Sequence, residues 1–109
     1  MQISISSRNG SLSDEMGEYL REKLAKLTKL FDRIESIAAT VEFRPDLTTV
    51  EVLVNAEHKH DLVARDEASN FHGAVDLAVH KMETQLRRYK ERIQNHRRRP
   101  PMGGEGSMT

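Results

Sequence analysis

Apolar and polar residues follow regular spacings along most of the chain and predict six elements of secondary structure. Residues 2–6 (QISIS) alternate polar and apolar, which is typical of a short, half-buried strand. Asn9-Gly10 then interrupts the pattern, and Ser11 or Ser13 can cap a helix. The helix is predicted from about residue 13 to 32, because apolar residues recur there every three or four positions. Its apolar stripe comprises Met16, Leu20, Leu24, Leu27 and Phe31.

The spacing changes to two after this helix. Apolar residues alternate over 37–43 and again over 50–56, and Pro45-Asp46 between them supplies a turn. The two segments are predicted to form an antiparallel hairpin with one covered face. Residues 57–60 are predicted to turn, and Leu62 and Ala64 mark a weaker strand after them.

A second helix is predicted from about residue 70 to 95, with Ser69 or Asn70 as its cap. Its stripe keeps the helical period and comprises Phe71, Val75, Ala78, Met82, Leu86, Tyr89 and Ile93. The remaining residues are rich in Arg, Pro and Gly and cannot build a core. The sequence thus predicts one folded domain at 1–95 and a disordered tail at 96–109.

This order of elements predicts an α+β fold, β-α-β-β-β-α, with a four-stranded mixed sheet. The helical crossover makes the first two strands parallel if they are neighbours, and the hairpins add antiparallel strands. Both helices are expected on one face of the sheet. The other face is then open and polar, and carries Ser4, Ser6, Thr40, Glu42, Arg44, Glu51 and Asn55.

Charge is unevenly distributed, although the 17 basic and 17 acidic residues give a formal net charge of zero. Residues 87–99 contain seven Arg or Lys and only Glu91 as an acid, so this end of the chain is strongly basic. Lys81, Arg88 and Arg92 are spaced to share one flank of the last helix, and Arg87 and Lys90 widen that patch. Residues 26, 29 and 33 form a second basic patch. Such groups attract phosphates, which favours a polyanion partner over a merely solvated surface.

The residue types needed for several other functions are missing. There is no cysteine, no Gly-x-Ser-x-Gly motif and no phosphate-binding glycine loop, so an enzyme is not expected. His72, Asp76 and His80 share one helix face, but an exposed Asp76–His80 pair is favoured there over a metal site. We expect no metal, no cofactor and no small-molecule substrate. No apolar run is long enough to span a membrane and the N-terminus lacks signal-peptide features, so a cytoplasmic location is expected.

Residues 74–90 (AVDLAVHKMETQLRRYK) closely resemble the signature helix of the ribosome hibernation promoting factors, also called ribosome-associated inhibitors or sigma-54 modulation proteins. The first helix is similar to the family as well, through Leu20, Lys23, Leu24, Lys26, Leu27 and the segment 31–34 (FDRI). The resemblance covers about residues 1–95, and the chain looks like a short form of the family. His72, Gly73, His80, Val63 and Arg65 depart from the family's usual pattern.

The resemblance implies a fold similar in layout to a double-stranded-RNA-binding domain. It implies binding to the small ribosomal subunit in the channel for messenger and transfer RNA, in competition with both, and inhibition of translation during starvation or stationary phase. The residues implied to face ribosomal RNA are Lys23, Lys26, Lys29, Lys81, Arg87, Arg88, Lys90 and Arg92. The alternative hypothesis is a protein-binding regulator of the sigma-factor modulation type, which would use the open sheet face or the long helix.

Overall fold

The computed structural model describes residues 1–98 and confirms the predicted α+β fold. The elements in chain order are β1 (Gln2–Arg8), α1 (Asp14–Leu30), β2 (Ile34–Arg44), β3 (Leu47–Ala56), a 3₁₀ turn (Glu57–Lys59), β4 (His60–Ala68) and α2 (Phe71–Arg98). The sheet order is β1-β2-β3-β4, with β1 parallel to β2 and the other two pairs antiparallel. No helix within 1–98 is both long and apolar enough to cross a membrane.

Polar side chains cap both helices at their N-termini. Ser13 accepts a hydrogen bond from the Met16 amide through its hydroxyl oxygen, at 3.1 Å. Asn70 accepts one from the Gly73 amide through its side-chain carbonyl, at 2.7 Å. Each cap satisfies an amide that has no partner within the helix. The structure therefore selects Ser13 and Asn70 from the two pairs of candidates.

One core lies between the helices and the covered face of the sheet. Cross-strand register brings Ile37 beside Val54, and Val41 beside Val50, on that face. Leu24 of α1 and Met82 of α2 pack onto them, and all of these side chains are at least 99% buried. The predicted stripes of both helices therefore face the sheet, which places both helices on the same side.

All four strands and α2 are longer than predicted, and β2 and β3 each begin three residues earlier, at Ile34 and Leu47. β1 continues to Arg8, and β4 runs over nine residues from His60, although only Leu62 and Ala64 marked it in the sequence. α2 continues to Arg98, so residues 96–98 are helical instead of belonging to the predicted tail. The rest of that tail, 99–109, lies outside the described residues.

The length of α2 positions its basic end. At about 1.5 Å per residue its 28 residues span about 42 Å. Ile93 is the last residue of α2 that packs against the core among the side chains described. The basic residues at 87–92 therefore lie beside the start of β4, at the end of the described part of α2 that packs on the core.

Candidate nucleic-acid interface

Lys81, Arg88 and Arg92 lie on the flank of α2 that faces the edge strand β4. Arg88 and Arg92 line a cleft of about 510 Å³ beside Leu62. Lys81 is held further back, because its Nζ lies 3.4 Å from Asp66 Oδ2 and donates to the Arg65 carbonyl at 3.0 Å. The predicted flank thus contains two cations at a cleft and one already engaged with the sheet.

The carboxylate that pairs with Lys81 belongs to Asp66. The pKa of its carboxyl lies below its usual range, chiefly because the Glu67 amide donates to Oδ1 at 2.8 Å and also because of Lys81. Partial burial opposes this shift. The carboxylate is therefore stabilised in its charged form, which favours the contact with Lys81.

Gln85, one turn further along α2 than Lys81, makes a second contact with β4. Its Nε2 donates to the Val63 carbonyl at 2.7 Å. Together with the Lys81 bond to the Arg65 carbonyl, this gives β4 two side-chain donors from α2. Both hydrogen bonds fix the rotation of α2 and hence the direction in which its basic flank points.

Two residues of the second predicted basic patch join the end of α2 in a groove, and the third, Lys26, lies elsewhere. Lys29 of α1 and Arg33, in the turn before β2, line this groove of about 400 Å³ with Lys90 of α2. Apolar side chains of Phe31 and Ile93 contribute to the same groove. Cations about sixty positions apart in the sequence therefore meet on one surface. Lys90 belongs to this groove instead of widening the flank of Lys81 and Arg88.

Lys23 and Lys26 lie further back, in a smaller cleft of about 180 Å³ between the helices. Lys23 Nζ is 3.8 Å from Asp76 Oδ1 and 5.3 Å from the centre of the Tyr19 ring. The cleft also contains acidic Glu83, so its charge is mixed. Arg87 is exposed on α2.

Asp76 has different partners from those predicted. The Tyr19 hydroxyl donates to Asp76 Oδ1 at 2.5 Å, and this hydrogen bond raises the pKa of Tyr19. His80 Nδ1 instead lies 3.8 Å from Glu83 Oε1. The predicted Asp76–His80 pair is therefore wrong, because a residue of α1 takes the carboxylate. Within residues 1–98 no group of three or more potential ligands is placed to hold a metal ion.

Arg33, His60 and Tyr89 form a feature that the sequence patterns did not indicate. Arg33 Nη1 donates to Glu57 Oε2 at 2.7 Å beside a cleft of about 590 Å³ that is also lined by Arg92. In this cleft the imidazole of His60 stacks on the Tyr89 ring, with centroids 4.6 Å apart and planes at 31°. The sequence predicts His60 to lie in a turn, but it is the first residue of β4, and no spacing links it to a helix stripe that begins 11 residues later.

The open face of the sheet is polar, as predicted. Ser36 donates to Asn55 at 2.8 Å, and Asn55 donates in turn to Asp61. Among the large apolar side chains described on this face, Val63 is the most exposed, at 49%. Isolated apolar residues of this kind are normal on a solvated surface. This face therefore gives no specific support to the alternative of a protein-docking regulator.

Comparison with known proteins gives a consistent result. The family model described as "Sigma 54 modulation protein / S30EA ribosomal protein" matches residues 3–94. A ribosome hibernation promoting factor from Azotobacter vinelandii is 28% identical, over 84% of this chain and 85% of that protein. One from Escherichia coli K12 is 24% identical, over 88% of this chain and all of that protein.

Solved structures are similar over most of the chain. A ribosomal subunit interface protein from Coxiella burnetii superposes with a TM-score of 0.77 and 26% identity, covering 84% of this chain and 99% of that one. The N-terminal domain of Thermus thermophilus Protein Y gives a TM-score of 0.73 and 25% identity, with 82% and 99% covered. Each match thus covers more than four fifths of this chain and nearly all of the solved one.

Proposed function

Because the chain belongs to the sigma 54 modulation protein / S30EA ribosomal protein family, a ribosome-associated and non-enzymatic class, we propose that it is a ribosome hibernation factor. It binds the small ribosomal subunit in the channel for messenger and transfer RNA and inhibits translation by occupying that space. It acts in the cytoplasm, in stationary phase or under stress. Its relatives include a ribosome hibernation promoting factor and a ribosomal subunit interface protein, which supports the ribosome as the partner.

The observation that carries the proposal is the convergence of cations from both helices at one end of the molecule. Lys29, Arg33 and Lys90 line one groove, and Arg88 and Arg92 lie on the adjacent flank of α2. Phosphates bound along such a surface release counterions, which supplies affinity without reading the sequence of the RNA. A binding surface of this kind suits a ligand of fixed shape and high negative charge, such as folded ribosomal RNA.

Inhibition in this proposal requires no chemistry. A rigid body that fills a site excludes any ligand that needs the same volume, so bound protein and bound messenger or transfer RNA are mutually exclusive. α2 supplies the rigidity, because a helix of 28 residues packed on a sheet and on α1 cannot bend aside cheaply. The basic side chains provide the affinity, and the folded domain provides the bulk.

The test is direct binding to purified ribosomal subunits. Full-length protein should sediment with small subunits and not with large subunits, and added messenger plus initiator transfer RNA should release it. The variant Lys29→Gln/Lys90→Gln removes two charges from the groove and should weaken sedimentation. The matched control Arg8→Gln/Arg21→Gln also removes two exposed positive charges, but outside the groove, and should sediment nearly as well as the wild type. Binding to both subunits alike, or no displacement by the two RNAs, would contradict the proposal.

A further inference from the structure

The cleft at the basic end of α2 has an aromatic wall that phosphate binding does not require. Its lining combines the guanidinium groups of Arg33 and Arg92 with aromatic rings, an apolar side chain and one carboxylate, contributed by His58, His60, Tyr89, Ile93 and Glu57. The cleft volume of about 590 Å³ falls within the range of roughly 300 to 1,000 Å³ that is usual for binding sites of small molecules. The cleft therefore has room for a flat group as well as for the charge beside it.

The two rings are arranged as a stack with one accessible member. Tyr89 is only 6% exposed and packs edge-on against Phe31, with ring centroids 5.3 Å apart. His60 lies on Tyr89 at 4.6 Å and is itself exposed. The buried tyrosine thus supports the imidazole from below, and its own ring is fixed by the core. A second flat ring can stack on His60 without any rearrangement of the core.

The charged groups beside the stack are also ordered. Arg33 donates to Glu57 at 2.7 Å, and the Arg33 carbonyl accepts from the Glu57 amide at 3.0 Å. The carboxylate holds the Arg33 side chain at the rim and offsets its charge, and the backbone bond keeps Arg33 beside Glu57. Arg92 has no ion-pair partner within residues 1–98 whose side chains are described, so it is the cation that can approach a phosphate most readily.

We propose that this cleft binds one unstacked nucleobase of an RNA chain, with the base on the His60 imidazole and a neighbouring phosphate on Arg92. The proposal rests on the proposed function and deepens it, because it names the part of the RNA that the end of α2 recognises. A base within a duplex has both faces covered, so the ligand is a base in a loop, a bulge or a single strand. An apolar peptide side chain could stack as well, but it would leave the Arg92 guanidinium without an anion.

The experiment uses full-length protein and two labelled RNA hexamers, measured by fluorescence anisotropy. One is hexa-adenosine and the other has six abasic residues, so both have the same phosphates and only one has bases. Wild-type protein should prefer hexa-adenosine by about tenfold, since stacking of a single base is typically worth about fivefold to 150-fold. The quantity compared among variants is this ratio of affinities, because it cancels the attraction of the basic surface for phosphates.

Two histidines provide a matched pair of variants. His60→Asn removes the stacking ring, and His80→Asn makes the same change on an α2 side chain that is 78% exposed and lies outside this cleft. Asparagine costs little on an exposed helix surface, so this control should fold. His60→Phe keeps a flat ring in place. The preference for bases should fall to nearly one in His60→Asn and persist in His80→Asn and His60→Phe.

Each result decides the proposal. It is overturned if the wild type shows no preference for bases, if the two asparagine variants behave alike, or if His60→Phe loses the preference while remaining folded. If His60→Asn fails to fold, the wild-type ratio and His60→Phe still test it. Failure of this inference leaves sedimentation of the wild type with small subunits intact, whereas failure of the proposed function abolishes that sedimentation.

Discussion

Lys81 and Arg88 lie on the same flank of α2, two turns apart, but differ in their surroundings. Lys81 is paired with Asp66 at 3.4 Å and donates to the Arg65 carbonyl at 3.0 Å. Arg88 lines an open cleft and has no ion-pair partner among the described residues. To reach a phosphate, Lys81 must leave two partners that Arg88 does not have. We therefore expect Arg88→Gln to weaken binding to small subunits much more than Lys81→Gln.

The size of the expected salt dependence follows from the ion pairs of the eight residues implied to face RNA. Lys23 and Lys81 each lie within 4 Å of a carboxylate. The other six have no such partner within the described part of the chain, and they are Lys26, Lys29, Arg87, Arg88, Lys90 and Arg92. If each neutralises one phosphate, log affinity should fall against log salt with a slope of about −5. Arg88→Gln should make the slope about 0.9 less steep, and Lys81→Gln should change it by less than half as much.

The assay is sedimentation of each variant with purified small subunits across a potassium chloride series at fixed magnesium concentration. Circular dichroism at each end of the series checks that the variants are folded. At the lowest salt, loss of a hydrogen-bonded charge should cost Arg88→Gln about tenfold in affinity. Equal slopes for the two variants would refute the argument from ion pairing, and a flat response of the wild type would show that the basic surface does not bind phosphates.

Three further predictions concern stability, measured by urea denaturation. Gly17→Ala should stabilise the protein by up to about 1 kcal/mol, since alanine favours the helix and its Cβ meets no atom within 4 Å. Gly10→Ala should destabilise it, because its Cβ would lie 2.7 Å from Phe43 Cδ2. A change of the same sign in the free energy of unfolding of both variants would contradict this. Asn70→Ala should cost about 1 kcal/mol through loss of the α2 cap, and an unchanged midpoint would show that the cap is dispensable. Asp66→Asn should be less stable than the wild type at neutral pH. This difference in stability should vanish as the pH falls below 3.8 through the lowered pKa of Asp66, because the wild-type carboxylate then becomes neutral as well. A difference that persists in acid would exclude an ionic cause.

The fold could be predicted because the apolar spacing agrees with the final packing nearly everywhere. The stripes of both helices and the alternation in β2 and β3 coincide with the buried residues. β4 was underestimated because Asp66 occupies a position on its helix-facing side, where the pattern calls for an apolar residue. Its charge is balanced by Lys81 of α2, a contact that no local pattern reveals.

For the candidate site, the sequence predicted which cations belong to it but not how they are arranged in space. Spacing along α2 placed Lys81, Arg88 and Arg92 on one flank, which follows from helix geometry alone. The meeting of Lys29 with Lys90 depends instead on how two helices far apart in sequence pack on the sheet. The stack of His60 on Tyr89 depends on the register of β4, so it could not be seen before the structure.

The contacts between α2 and β4 also bear on how the protein behaves when it is abundant. An edge strand with unpaired backbone groups is a template on which strands of other molecules can assemble into aggregates. On β4 the Val63 and Arg65 carbonyls already accept bonds from Gln85 and Lys81, so an incoming strand would first have to displace two side chains. The opposite edge, β1, has no such donors from either helix among the hydrogen bonds described. Aggregation of the folded protein by strand addition should therefore begin at β1, and that edge is the place to introduce a lysine or proline if solubility limits its use.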